Sequence, residues 1–278
     1  MNNRTEIQRI LQQHFPELKD KTEKVGWLNE IVFEGVYFDT HKIAIKLGES
    51  LEPILHHVAK LRYAGGKLPR SVAGPGVSQK EADEYYDKKY EIGQATNRNN
   101  AVPILTRLDA SNLAGFVASR LETFFQERSS DKSLRFGIGD FLKLSNDGLA
   151  EIPLQDEIIE LPVDLCLLEQ HLTLMEMKST FDTDDGKTKQ ELSKMMKAFV
   201  AVGNKPKRLY FGVISNNKGF KKNGEWSGRL GSFVSKDLIL VEDQLWNLLA
   251  PQDVSFENFS DLFRTQYSLN LPKYKKVG

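Results

Sequence analysis

Residues Leu161–Thr180 read LPVDLCLLEQHLTLMEMKST, two apolar runs parted only by Glu169-Gln170-His171. Strands joined by so short a link form a β-hairpin. Side chains alternate between the two faces of a strand. Leu172, Leu174, Glu176, Lys178 and Thr180 therefore share one face of the second run, and Pro162, Asp164, Cys166 and Leu168 share one face of the first. With a three-residue loop, Leu168 faces Leu172 and Asp164 falls opposite Glu176. Opposed residues on antiparallel strands point to the same side, so Asp164, Glu176 and Lys178 converge on one patch. A two-residue loop would shift the pairing by one residue and part them. The expected register is the three-residue one, or another of the same parity.

Two carboxylates that close in an apolar setting repel each other, and one is driven toward protonation unless a cation holds both. All-oxygen ligands suit Mg²⁺, which keeps most of its waters and takes phosphate oxygens. Lys178 reaches the same point. A metal and an ammonium flanking one spot make sense for a substrate that brings negative charge, such as a phosphodiester. The plain alternative is a hairpin with a charged edge, whose Glu176 and Lys178 point to water. It loses weight because these strands lie between helices, where a sheet is covered on both faces.

Outward from the hairpin, DASNLAGFVASRLETFFQE (109–127) is an amphipathic helix with Leu113, Phe116, Val117, Leu121, Phe124 and Phe125 on one face. LRFGIGDFLKL (134–144) reads as a strand. After the hairpin come a helix at 188–202, a strand at 208–215, a strand at 237–241 and a helix at 242–250. That order gives an α/β sandwich around a mixed sheet, without the regular alternation of a doubly wound fold. Residues 1–105 read as mainly helical. They hold helices at 5–13, 48–63 and about 79–94, loops at 64–78 and 94–100, and a short strand near 30–38. Two regions are expected: 1–105, serving DNA recognition or dimerisation, and 106–278, the α/β core.

The 278 residues carry 38 Lys+Arg and 38 Asp+Glu, which argues against a protein that coats nucleic acid by bulk attraction but leaves room for a local basic cleft. No apolar run is long enough to cross a membrane. The N-terminus has no apolar leader core. The single cysteine, Cys166, excludes an internal disulfide, points to a reducing compartment, and sits where an inert core thiol belongs. The five histidines form no HExxH or HxH pattern, and His56 and His57 read as boundary residues of a helix. Asp182, Asp184 and Asp185 read as a turn and helix cap rather than a second metal site. Lys67, Arg70 and Arg98 in the N-terminal half, and Lys218, Lys221, Lys222 and Arg229 in NNKGFKKNGEWSGR (216–229), lie on Gly-rich or polar loops suited to gripping DNA phosphates, or equally to a solvated surface.

Pro162-Val163-Asp164, eleven residues, then Glu176-Met177-Lys178 resembles the PD-(D/E)xK nuclease superfamily, and within it the type II restriction endonucleases. The sequence departs from the pattern by placing one residue between Pro162 and Asp164. The resemblance covers about residues 109–250. It implies a restriction-endonuclease-like α/β/α sandwich, with Asp164 and Glu176 binding Mg²⁺ (Mn²⁺ able to substitute) and the Met177 carbonyl as a further ligand. It also implies that Lys178 orients or deprotonates the attacking water, that the ends are 5′-phosphate and 3′-hydroxyl, and that Glu122 adds an acid from the preceding helix. Lys187, Lys189 and Gln190 occupy the helix start where such enzymes carry polar or basic DNA contacts. The expected activity is site-specific cleavage of double-stranded DNA by a cytoplasmic prokaryotic homodimer, working beside a cognate DNA methyltransferase. The alternatives are a repair, recombination or defence nuclease acting on branched, modified or single-stranded nucleic acid, and a non-catalytic DNA-binding protein with a degenerate site.

Overall fold

The computed structural model describes residues 2–14, 41–63, 67–91, 101–178, 185–214 and 229–270. The elements run α1 (Asn3–His14), α2 (His41–Arg62), β1 (Val72–Ala73), α3 (Gln79–Tyr86), β2 (Val102–Leu108), α4 (Ala110–Ser130), α5 (Ile138–Glu151), β3 (Leu154–Val163) and β4 (Leu165–Leu168). They continue with β5 (Leu172–Lys178), α6 (Asp185–Ala201), β6 (Lys207–Val213), α7 (Arg229–Phe233), β7 (Ile239–Val241), α8 (Asp243–Leu249) and α9 (Phe256–Asn270). The chain is α/β with mixed sheets, one ordered β1-β2-β3 and one ordered β4-β5-β6-β7.

β4 and β5 pair antiparallel, with Leu165 opposite Met175, Cys166 opposite Leu174 and Leu168 opposite Leu172. This is the register expected from a Glu169-Gln170-His171 loop. Continued by one pair, it sets Asp164 opposite Glu176. β5 is also parallel to β6, and β6 to β7, so β5 is an interior strand.

The two faces of the hairpin bury different partners. Cys166, Leu172 and Leu174 join Leu192, Met195, Met196 and Phe199 of α6, together with Val117 of α4 and Phe141 of α5. Leu165, Leu167, Met175 and Met177 join Ile7 and Leu11 of α1, Ile54 and Val58 of α2, Trp246 of α8 and Phe259 of α9. Leu192, Met195, Met196 and Phe199 are spaced i, i+3, i+4, i+7, which lays one stripe of α6 along the sheet. Each fully buried side chain of this size stabilises the fold by roughly 1.5–3 kcal/mol. Both faces of the second sheet are thus covered by helices. The N-terminal helices form one of these layers, and the division expected at residue 105 falls inside β2.

Several local readings change. LRFGIGDFLKL is not a strand, because its second half opens α5. The Gly137 N–H donates to the Asp140 carboxylate at 2.8 Å, and Phe141, Leu144, Ser145 and Gly148 are the buried side of the helix. Three strands join the expected set: the two-residue β1, inside the expected loop at 64–78, β2 and the long β3. β2 carries Pro103, which a covered strand rejects, but β1 pairs only with Ile104 and Leu105, so the proline lies beyond that edge pairing. α9 also follows the last expected helix. The expected strand near 30–38 and loop at 94–100 lie outside the described residues. No helix among the described residues is long and apolar enough to cross a membrane.

Candidate active site

Asp164 is the one residue between β3 and β4, where the chain leaves the first sheet and enters the second. Interrupting the strand there lets its carboxylate turn onto the neighbouring backbone. Asp164 Oδ2 accepts the Met177 N–H at 2.7 Å. Asp164 is 6% exposed and Glu176 1% exposed, so both charges are withdrawn from water on the face covered by α6.

Two lysines compensate them. Lys178 Nζ lies 2.6 Å from Glu176 Oε1 and 2.9 Å from Glu191 Oε1. Lys194 Nζ lies 3.0 Å from Asp164 Oδ1 and 2.6 Å from Glu176 Oε2. The second of these contacts has the geometry of an ion pair, since Glu176 Oε2 is buried without a hydrogen bond. Each strand carboxylate therefore commits one oxygen elsewhere, Asp164 Oδ2 to a backbone N–H and Glu176 Oε1 to Lys178. The remaining two oxygens converge on one ammonium.

The electrostatics follow from this geometry. Burial, and then the Glu176 charge, push the Asp164 carboxyl up to about 6, although Lys194, Lys178 and the Met177 N–H pull the other way. Burial opposes the charge on Lys178, yet Glu176, Asp164 and Glu191 outweigh it and hold the ammonium above its ordinary pKa. Lys194 is raised in the same way, burial being overcome by Asp164 and Glu176. Glu191 is pushed up by burial, but the Lys178 and Lys194 ammonium groups hold it below the usual carboxylate range.

Glu191 and Lys194 both come from α6, one turn apart and bordering its apolar stripe, and the sequence reading passed over them. The available signal was their i, i+3 spacing beside Leu192 and Met195, on a helix that must cover the Glu176 face. Lys187, Lys189 and Gln190 are instead exposed at the start of α6. Lys189 Nζ sits 4.5 Å over the Phe125 ring, bound to α4. Glu122 does not join the cluster: it is exposed on α4, and its carboxylate accepts from Gln126 at 3.5 Å. The carboxylate that a helix brings to this cluster is Glu191, 2.9 Å from Lys178 Nζ. Lys67 pairs with Glu169 at 3.8 Å at the hairpin turn, roughly 20 Å along β5 from Lys178. Arg70 Nη1 pairs with Asp87 at 2.8 Å. Arg98, Lys218, Lys221, Lys222, Asp182 and Asp184 lie outside the described residues, and Arg229 opens α7. Cys166 is fully buried and its thiol is pushed up by burial, which makes it the inert core residue expected.

The fit of a divalent cation can be judged on the oxygens. Asp164 Oδ1 and Glu176 Oε2 already close on a single positive charge, that of Lys194. Among the described residues no group of three or more His, Cys, Asp or Glu side chains is gathered to hold a metal ion by itself. Mg²⁺ does not require one, because one or two carboxylates with water and substrate oxygens suffice. Compared with protein-family models, characterised proteins and solved structures, the chain matches none of them significantly.

Proposed function

We propose that the protein is a Mg²⁺-dependent endonuclease that hydrolyses phosphodiesters of double-stranded DNA at specific sites, on a restriction-endonuclease-like α/β/α core. The observation that carries this reading is the convergence of two buried carboxylates, Asp164 and Glu176, on one cation position with Lys178 beside it. Ordinary core residues at these positions would stabilise the fold better than two charges held against their own repulsion. The chain order also supports it, with a hairpin followed by a covering helix and two further parallel strands.

Asp164 and Glu176 would hold the cation, with the Met177 carbonyl as a further ligand. The ion would supply Lewis-acid stabilisation of a phosphate oxygen. Lys178 is held protonated by three carboxylates, so it serves as a donor and a positive charge, not as a base. It would orient the attacking water and stabilise the charge that builds on the pentacovalent phosphate. Glu191 positions Lys178 from the helix side. Attack of the water oxygen on phosphorus, with cleavage of the bond to O3′, leaves a 5′-phosphate and a 3′-hydroxyl. A palindromic target would call for a two-fold dimer, and a cognate methyltransferase would protect the host DNA.

A second reading has one observation in its favour. Lys194 already fills the position between the carboxylates, as it would in a non-catalytic DNA-binding protein with a degenerate site. Digestion of one DNA of known sequence with Mg²⁺, with both ends of every product mapped, separates the two. Discrete fragments with 5′-phosphate ends support the endonuclease. A smear argues against site specificity, and intact DNA favours the degenerate site.

A further inference from the structure

We infer that Lys194 is the built-in counter-cation of the metal-free site, and that a divalent ion must displace its ammonium in order to bind. This inference rests on the metal reading proposed above and adds the step that controls metal entry.

The two lysines of the cluster are held in different ways. Lys178 lies on β5 itself, between Glu176 and Glu191, with its side chain 17% exposed. It bonds Glu176 through Oε1 and leaves Oε2 alone. Lys194 reaches in from α6 with its side chain 31% exposed, and it contacts the two oxygens that have no other partner within the cluster, Asp164 Oδ1 and Glu176 Oε2. A cation bridging the two carboxylates needs those same oxygens. An ammonium 2.6–3.0 Å from both excludes a second cation from the place where it sits.

The charge count points the same way. Three carboxylates and two ammonium groups leave the cluster one negative charge, too little to draw in a divalent ion strongly while Lys194 stays. If Lys194 withdraws toward solvent, the local charge becomes minus two. Its long flexible stem and partial exposure allow that movement without moving the α6 backbone. The side chain thus keeps the repelling carboxylates together while the metal is absent and sets a threshold concentration for metal binding.

The test is Mn²⁺ binding without DNA, followed by electron paramagnetic resonance, in wild type, Lys194→Met and Asp164→Asn. Tenfold or tighter binding by Lys194→Met, with binding lost in Asp164→Asn, is the expected result. Equal affinity in wild type and Lys194→Met, with Asp164→Asn still losing it, overturns the displacement while leaving the metal site standing. Absence of binding in all three overturns the metal reading, and the displacement with it. If Lys194→Met does not fold, wild type alone decides, through acetylation of Lys194 by an amine-reactive ester, quantified by mass spectrometry. Saturating Mn²⁺ should raise its modification several-fold and leave that of distant Lys80 unchanged. Unchanged Lys194 modification overturns the inference.

Discussion

Replacing Asp164 by Asn should make the metal-free protein more stable. The Asp164 carboxyl is pushed from 3.8 to about 6 by burial and by Glu176, even with Lys194, Lys178 and the Met177 N–H in place. Ionised Asp164 is therefore worse off folded than unfolded, by roughly 3 kcal/mol at neutral pH. Asn removes that cost. Its Oδ1 can still accept the Met177 N–H, as the protonated carboxyl does, which leaves a gain of about 3 kcal/mol at neutral pH. The sign fixes the pH window. A carboxyl with a raised folded pKa contributes its full stability below the unfolded value and loses it as pH rises through the folded one. The advantage of Asp164→Asn should thus be absent below about pH 4, grow between 4 and 6, and level off above 6. Thermal melts in chelator at pH 4, 5, 6 and 7.5 read it directly, at about 2–4 °C per kcal/mol for a chain of this size. A mutant less stable than wild type at pH 7.5 would refute the reasoning, because the Asp164–Lys194 pair would then be a net structural bond rather than a strained functional one.

Two further predictions test the frame around the site. Lys207 Nζ donates to Ser145 Oγ at 2.6 Å, to the Phe199 carbonyl at 2.8 Å and to the Gly203 carbonyl, with no carboxylate pairing with it among the described residues, and burial pushes the amine down to about 7. Unfolded lysine holds its proton to about pH 10, so the stability of wild type relative to Lys207→Met should rise by about 1.4 kcal/mol per pH unit between pH 7 and 10. A difference flat with pH, measured by urea denaturation, would show that the surrounding acceptors keep this ammonium charged. Gly74 follows β1 and packs against the end of α6, where a Cβ would lie 1.9 Å from the Ala201 carbonyl oxygen. Gly74→Ala should therefore destabilise by about 3 kcal/mol or more, and a melting point unchanged from wild type would contradict that contact.

The hairpin was legible in the sequence because parity needs no tertiary information. Once the loop is three residues long, the faces of Asp164, Glu176 and Lys178 follow, and the observed pairing of Leu168 with Leu172 agrees. α4 was legible for a similar reason, since its apolar face repeats at helical spacing and Asp109 caps it through the Asn112 N–H at 2.8 Å. α5 was not legible, because its cap residue is Gly137, which offers no side chain to signal a helix start, and the aromatic residues before it mimic a strand. β2 was hidden by Pro103. Glu191 and Lys194 were hidden for a deeper reason. A helix declares its apolar stripe in sequence, but which boundary residues of that stripe reach into a site depends on how the helix lies across the sheet. Glu122 is exposed on α4, and the carboxylate that joins the cluster from a helix, Glu191, lies on the other side of the hairpin in sequence.

Cleavage of plasmid DNA in Mg²⁺ by wild type and by Lys178→Ala tests most directly whether this cluster performs phosphodiester hydrolysis. Wild type should give discrete fragments, and Lys178→Ala should be slower by roughly 10²-fold or more, as for loss of one group that stabilises transition-state charge. Equal rates from the two proteins, or no cleavage by wild type at any Mg²⁺ concentration, would contradict it.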